Sequence, residues 1–128
     1  MKDIATREDV ELLVKEFYKK VRLDQTLGYI FDDVIKIDWN YHVPILVDFW
    51  ETILLDSASY NRNAMAEHFK VNQKVKLEPH HFATWLDLFD QTVNELFEGN
   101  KASEAKKRAH SIAQLMQLKM EQVNKAAK

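Results

Sequence analysis

Five histidines, His42, His68, His80, His81 and His110, are the side chains best suited to metal binding or acid–base chemistry. Imidazole ligates metals and titrates near neutrality. Their spacing separates them into roles. His80 and His81 are adjacent, and adjacent helical positions point about 100° apart, so they do not chelate one metal as a helical pair. Glu78 and His81 form one Glu-x-x-His match, with the glutamate ahead of Pro79 at a helix start. A di-iron carboxylate bundle needs two such motifs within helices and two further carboxylates, so this match is chance. His110 falls one residue outside an apolar stripe and belongs to the surface. Neither His-Glu-x-x-His nor Gly-x-Ser-x-Gly occurs.

His42 shares a helical face with Leu46, Phe49 and Ile53. Taken alone, it is a core histidine satisfied by a backbone carbonyl. His68 closes a short helix after Ala64, Met65 and Ala66. Its ordinary role is a cap at the negative helix end. Its functional role is an iron ligand, with one ring nitrogen on the metal and the other donating to a carbonyl. Tyr18 and Trp85 add two donors next to apolar faces, and each alone reads as core packing. Two interior donors and two histidines, in an aromatic-rich helical chain without carboxylate pairs, imply a pocket for a flat apolar cofactor. Apolar walls, one axial imidazole and a few distal donors are the requirements of a haem site.

The elements that must position these residues are helical. Thr6 and Asp9 form a capping box with Asp in place of Glu. Val10, Leu13, Val14, Phe17, Tyr18 and Val21 then share one face of a helix ending near Asp24. Leu27 to Phe31 is a tight helical turn. Asp38 caps a second long helix with the stripe Trp39, His42, Leu46, Phe49, Trp50 and Ile53, distorted in its first turns by Pro44. A polar stretch, a short helix (AMAEHF) and a basic loop (VNQKVKLE) lead to Pro79, which opens a third long helix. That helix carries Phe82, Trp85, Leu86, Phe89, Val93, Leu96 and Phe97, and ends at Glu98-Gly99-Asn100. A last helix buries Ala105, Ala109, Ile112, Met116, Met120 and Val123. The expectation is an all-α fold of four long helices in one domain over residues 1–128, with the tail from about 121 frayed.

Composition narrows the function. The 128 residues hold 18 Lys plus Arg against 20 Asp plus Glu, a net charge of −2 that argues against binding nucleic acid through phosphates. With no Cys, disulfides, thiolate metal sites and thiol nucleophiles drop out. Only two glycines, Gly28 and Gly99, exclude the Gly-rich phosphate loops. No apolar run reaches the roughly 18 residues of a membrane span, and the charged first ten residues do not form a signal peptide. A cytoplasmic monomer without membrane or nucleic-acid partners is expected.

Five stretches occur in a familiar order: FYKKVRLDQTLGYIF, then W-x-x-H-x-P-x-x-x-x-FW at Trp39 to Trp50, YNRNAMAEH, HFATWLDLF at His81 to Phe89, and RAHSIAQLM. From Val10 to about Met120 the chain resembles the group III branch of the truncated haemoglobins. The resemblance implies a truncated globin, a two-over-two helical sandwich around haem b. It implies His68 as the proximal iron ligand, with Tyr18, His42 and Trp85 on the distal side. Phe31 would pack on the haem, and Leu46, Trp50, Phe82, Phe89 and Met116 would line its pocket. Three features depart from the commonest pattern. The stretch between His68 and Trp85 is about three residues longer than in many relatives. Ile45 and Thr84 stand where basic residues are frequent, which removes partners for the haem propionates. Arg62, Lys74, Lys76 and His81 are candidate substitutes, each read first as solvated surface.

A partly negative diatomic ligand would accept hydrogen bonds from Tyr18 and Trp85 in a dry pocket, each contributing about 1–2 kcal/mol. Slow dioxygen release follows, suited to redox chemistry with nitric oxide or peroxide rather than bulk transport. Carbon monoxide would serve as a further ligand. His42 could gate the pocket or bind iron itself. Turnover would need a separate reductase. The competing readings are a haem sensor or carrier without turnover, and a haem-free helical interaction module.

Overall fold

Thr6 starts the first helix as expected. Its Oγ1 accepts from the Asp9 N–H at 3.2 Å, and the Asp9 carboxylate accepts from the Thr6 N–H at 3.1 Å, so Asp serves the capping box as Glu would. In the computed structural model, which describes residues 1–56, 58, 60, 72 and 74–126, this helix is α1 (Arg7–Leu23). The Asp24 carboxylate then caps α2 (Gln25–Gly28). Gly28 is required there, because a Cβ would lie 2.4 Å from the Arg22 carbonyl oxygen. The chain continues as a π-helical turn, Tyr29–Val34, so the apolar Leu27–Phe31 stretch is helical.

Asp38 caps α3 (Trp39–Leu55) through its Oδ1. The helix is continuous through Pro44. Proline removes one N–H close to the helix start, where the interruption costs least. Pro79 opens α4 (Pro79–Leu96) and α5 spans Asn100–Ala126, beyond the expected fraying point near 121. The expected short helix AMAEHF lies outside the described residues.

Helix α1 packs against α3 and α4, and α4 packs along α5. The result is a sandwich of two helix pairs. Its centre is Phe17, whose ring meets Tyr18, Trp85 and Phe89 edge-on at 4.6, 5.3 and 5.1 Å. Trp50 and Trp85 stack on Phe89. The short amino-terminal segment is tied down: Asp3 accepts from the N–H groups of Lys101 and Ala102 at 2.9 Å, capping α5 from a distance.

The expected stripes hold with differences on three helices; on α4 Trp85, Leu86 and Leu96 are half-buried. On α3 only Val47, Trp50 and Leu54 are fully buried, while His42, Leu46 and Phe49 are half-buried. The cause is a cavity along that side of the helix. On α5 Val123 is exposed and Ala113 takes a place in the core. Among the described residues no helix is long and apolar enough to cross a membrane.

Candidate functional site

The cavity has a volume of about 340 Å³ and lies between α3, α4, α5 and the turn after α1. Among the described residues that line it, none is Lys, Arg, Asp or Glu. Walls of Ile, Leu, Phe, Trp and Met face a few polar groups: Tyr18, Tyr41, His42, Tyr60, His81 and Trp85. Apolar walls with a handful of oriented donors fit a flat macrocycle bearing a small polar ligand.

Tyr18 reaches the cavity from the buried face of α1 and is 8 % exposed. Burial pushes its phenol up to about 12, against a smaller opposing effect of the Trp85 hydrogen bond. Its hydroxyl therefore stays protonated at neutral pH. The group that opposes the rise is the neighbouring Trp85 indole, which can only donate. The phenol hydrogen is left for another acceptor. Tyr18 and Trp85, the two expected donors, stand as neighbours at the wall of the same cavity.

Behind Tyr18 stands a second polar group of side chains. The Trp39 indole N–H donates to Asp32 Oδ1 at 2.8 Å, and Arg22 Nε donates to Asp32 Oδ2 at 3.2 Å. The Arg22 guanidinium also lies over the Trp39 ring, 5.0 Å from its centroid. The Trp39 hydrogen bond, assisted by Arg22, holds the Asp32 carboxyl below its ordinary range despite burial. Trp39 in turn packs at 5.4 Å from the Tyr18 ring and 6.2 Å from His42. The start of α3, and with it His42, is thereby clasped to the turn after α1.

Tyr18, Phe31, His42, Leu46, Trp50, Phe82, Trp85 and Met116 all line the one cavity. Phe89 does not. It is buried one layer behind the wall, stacked against both Trp50 and Trp85. His68, the expected proximal ligand, and Arg62 lie outside the described residues. His110 is exposed and pairs with Asp90 at 2.7 Å, as its place beside the stripe required. Lys74 and Lys76 are exposed.

His81 is the correction. Its expected place on a solvated surface does not hold: it is 8 % exposed and lines the cavity. Pro79 fixes the helix start so that His81 is the third helical residue, one turn before Trp85 on the same face. Sequence reasoning also passed over Ile45, Phe49 and Ile112 as wall residues. The 42, 45, 46, 49 spacing on α3 carried the signal for the first two.

No family model matches the chain. A group 3 truncated hemoglobin of Campylobacter jejuni is 29% identical over 114 residues, covering 87% of each chain. The crystal structure of group III truncated hemoglobin from the same organism superposes with a TM-score of 0.82 at 29% identity. It covers 94% of this chain and 95% of that one. The chain is thus similar in sequence and in fold to group III truncated haemoglobins. Its two helix pairs form the all-α sandwich of the truncated-globin fold.

Proposed function

We propose that this globin holds haem b in the cavity, with His68 as its axial ligand, and uses it to retain a polar diatomic gas. Dioxygen is the leading ligand, for redox handling of nitric oxide or peroxide rather than for bulk transport. Haem, when bound, would supply an iron able to take a diatomic gas. The observation that carries the reading is the buried Tyr18 phenol, protonated at neutral pH and beside Trp85 at the cavity wall.

The protein's contribution is positional and electrostatic. Tyr18 donates to the partly negative end of the ligand. Trp85 keeps the phenol hydrogen pointed away from itself. Apolar walls exclude water, so that single hydrogen bond counts for more than it would in solution. His42 stands at the half-buried start of α3, where it controls access to the same space. Electrons for any turnover come from a separate reductase in this reading.

Absorption spectra of the haem-supplied protein as ferric, ferrous and carbon-monoxide forms, beside His68→Ala, test the reading. A Soret band that moves with redox state and gas, and that changes in the variant, is expected. Absence of a specific band from the intact protein refutes the reading, and an unchanged variant spectrum removes His68 as ligand.

A further inference from the structure

The geometry points to His81 as the residue that anchors the carboxylate edge of the macrocycle, by donating its Nε2 hydrogen to a propionate. This rests on the haem reading above and adds the orientation of the group within the cavity.

The ring of His81 is fixed by its backbone. The Glu78 N–H donates to Nδ1 at 2.9 Å, so the neutral ring must carry its hydrogen on Nε2. That nitrogen has no hydrogen-bond partner among the described contacts, on a side chain that is nine-tenths buried and forms part of the cavity wall. A donor held this way, with its other nitrogen already satisfied, is preorganised for an acceptor that the cavity must receive. Burial and the neighbouring His80 push the imidazole below its ordinary range, with Glu78 opposing, which favours the neutral donor form before the acceptor arrives.

An anionic acceptor suits the location. His81 lies in the first turn of the 18-residue α4, where the exposed N–H groups and the helix dipole favour negative charge. Among the described lining residues no Lys or Arg competes for that role, and His42 and His81 are the two bases. Pro79 and His80 beside it are exposed, so this end of the cavity is its rim. Trp85, one turn further on and about 6 Å along the helix axis, lies on the inner side. A macrocycle seated with its apolar body against Phe82 and Trp85 therefore presents its carboxylates at His81. Glu78 is the acidic group at this rim, and its carboxylate lies 3.6 Å from the His80 ring, directed to the surface.

The test uses the haem-loaded chain and reads haem loss to an excess of a scavenging apoglobin. His81→Glu places at the third helical position the residue that a capping box prefers, so the carboxylate can still accept from the Glu78 N–H while it repels a propionate. His81→Gln keeps both an acceptor for Glu78 and an N–H donor. We expect His81→Glu to lose haem about tenfold faster or more, as for loss of a hydrogen bond to a charged group, and His81→Gln to stay within about threefold of the parent. Loaded with haem dimethyl ester, which lacks the carboxylate charge, the parent and His81→Glu should converge. Equal haem loss by parent and His81→Glu overturns the anchor, and so does a gap that persists with the ester. A parent chain that never develops a Soret band overturns the haem reading as well, which separates the two failures.

Discussion

Tyr18→Phe removes one hydroxyl from a buried ring and leaves the edge contacts of that ring with Phe17 and Phe31 available. With the Trp85 indole, a donor only, as its neighbour, the phenol has one hydrogen to give, and the cavity is where it can give it. A hydrogen bond to a partly charged acceptor contributes about 1–2 kcal/mol, which corresponds to roughly a 5- to 30-fold faster dioxygen dissociation rate. Stopped-flow replacement of dioxygen by carbon monoxide measures that rate. Carbon monoxide dissociation is the control, since its weaker charge separation makes it nearly indifferent to the donor. Trp85→Leu should accelerate dioxygen loss too, by a smaller factor, because it disorients the phenol without deleting it. With Trp85 acting through Tyr18 in this reading, the double variant should release dioxygen no faster than Tyr18→Phe within about a factor of two. Fully multiplicative effects in the double variant would refute the relay and restore two independent donors. Equal acceleration for both gases would refute the hydrogen bond altogether.

The raised phenol also makes stability depend on alkaline pH. The folded value lies near 12 against 10 in the unfolded chain, so the stabilisation is complete below pH 10 and is lost as pH rises toward 12. Urea unfolding should show the parent losing about 2–3 kcal/mol relative to Tyr18→Phe across that window, and parallel curves would contradict the burial of an unionised phenol. Asp32→Ala strips both Trp39 and Arg22 of their acceptor; the urea midpoint should fall by the equivalent of about 1–3 kcal/mol, and an unshifted midpoint would make the clasp ornamental. Gly99 has φ +141°, and a Cβ there would stand 2.5 Å from Asp3 Cγ. Gly99→Ala should lower the melting temperature through backbone strain and displacement of the Asp3 cap, at a cost of about 1–3 kcal/mol; melting like the parent would show the amino-terminal segment to be dispensable.

Much of this architecture was legible because local rules and burial agreed. Thr6, Asp38 and Pro79 mark helix starts through chemistry that acts within one turn, and those starts hold. The α1 stripe is fully buried because that helix is packed on two sides. Periodicity made the α3 stripe legible as apolar, while its part in a pocket wall at His42, Leu46 and Trp50 came from the family resemblance, since periodicity reports which face avoids water and not whether protein or a ligand covers it. His81 was missed for a related reason. Its neighbours Glu78, Pro79 and His80 are all exposed, and a charged loop ahead of it suggested solvent. Only the rotation of α4 about its axis turns position 81 inward. The nearness of Tyr18 to Trp85 was likewise beyond the sequence, because it depends on two helices bringing together residues 67 positions apart.

The haem-free interaction module makes a definite energetic demand on this fold. Each Å³ of unfilled apolar cavity costs about 24 cal/mol where a core fails to close. Applied to about 340 Å³, a sealed void would cost on the order of 8 kcal/mol; this cavity opens at its rim, so its cost is a fraction of that, still appreciable against the stability of a small domain, about 5–15 kcal/mol. An interaction module would relieve the cost by closing the interior, and Ile45, Leu46 and Phe49 lie on the α3 face that would have to move. They are held back by the clasp: Asp32 fixes Trp39 at the start of α3, and Trp50 fixes its middle against Phe89. The helix is anchored at two points in a position that keeps the cavity open. A chain that spends a half-buried carboxylate and two tryptophans on holding a space apart has its stability linked to what fills that space, so under the haem proposal loading the macrocycle should raise the urea midpoint, and an unchanged midpoint would favour the interaction module.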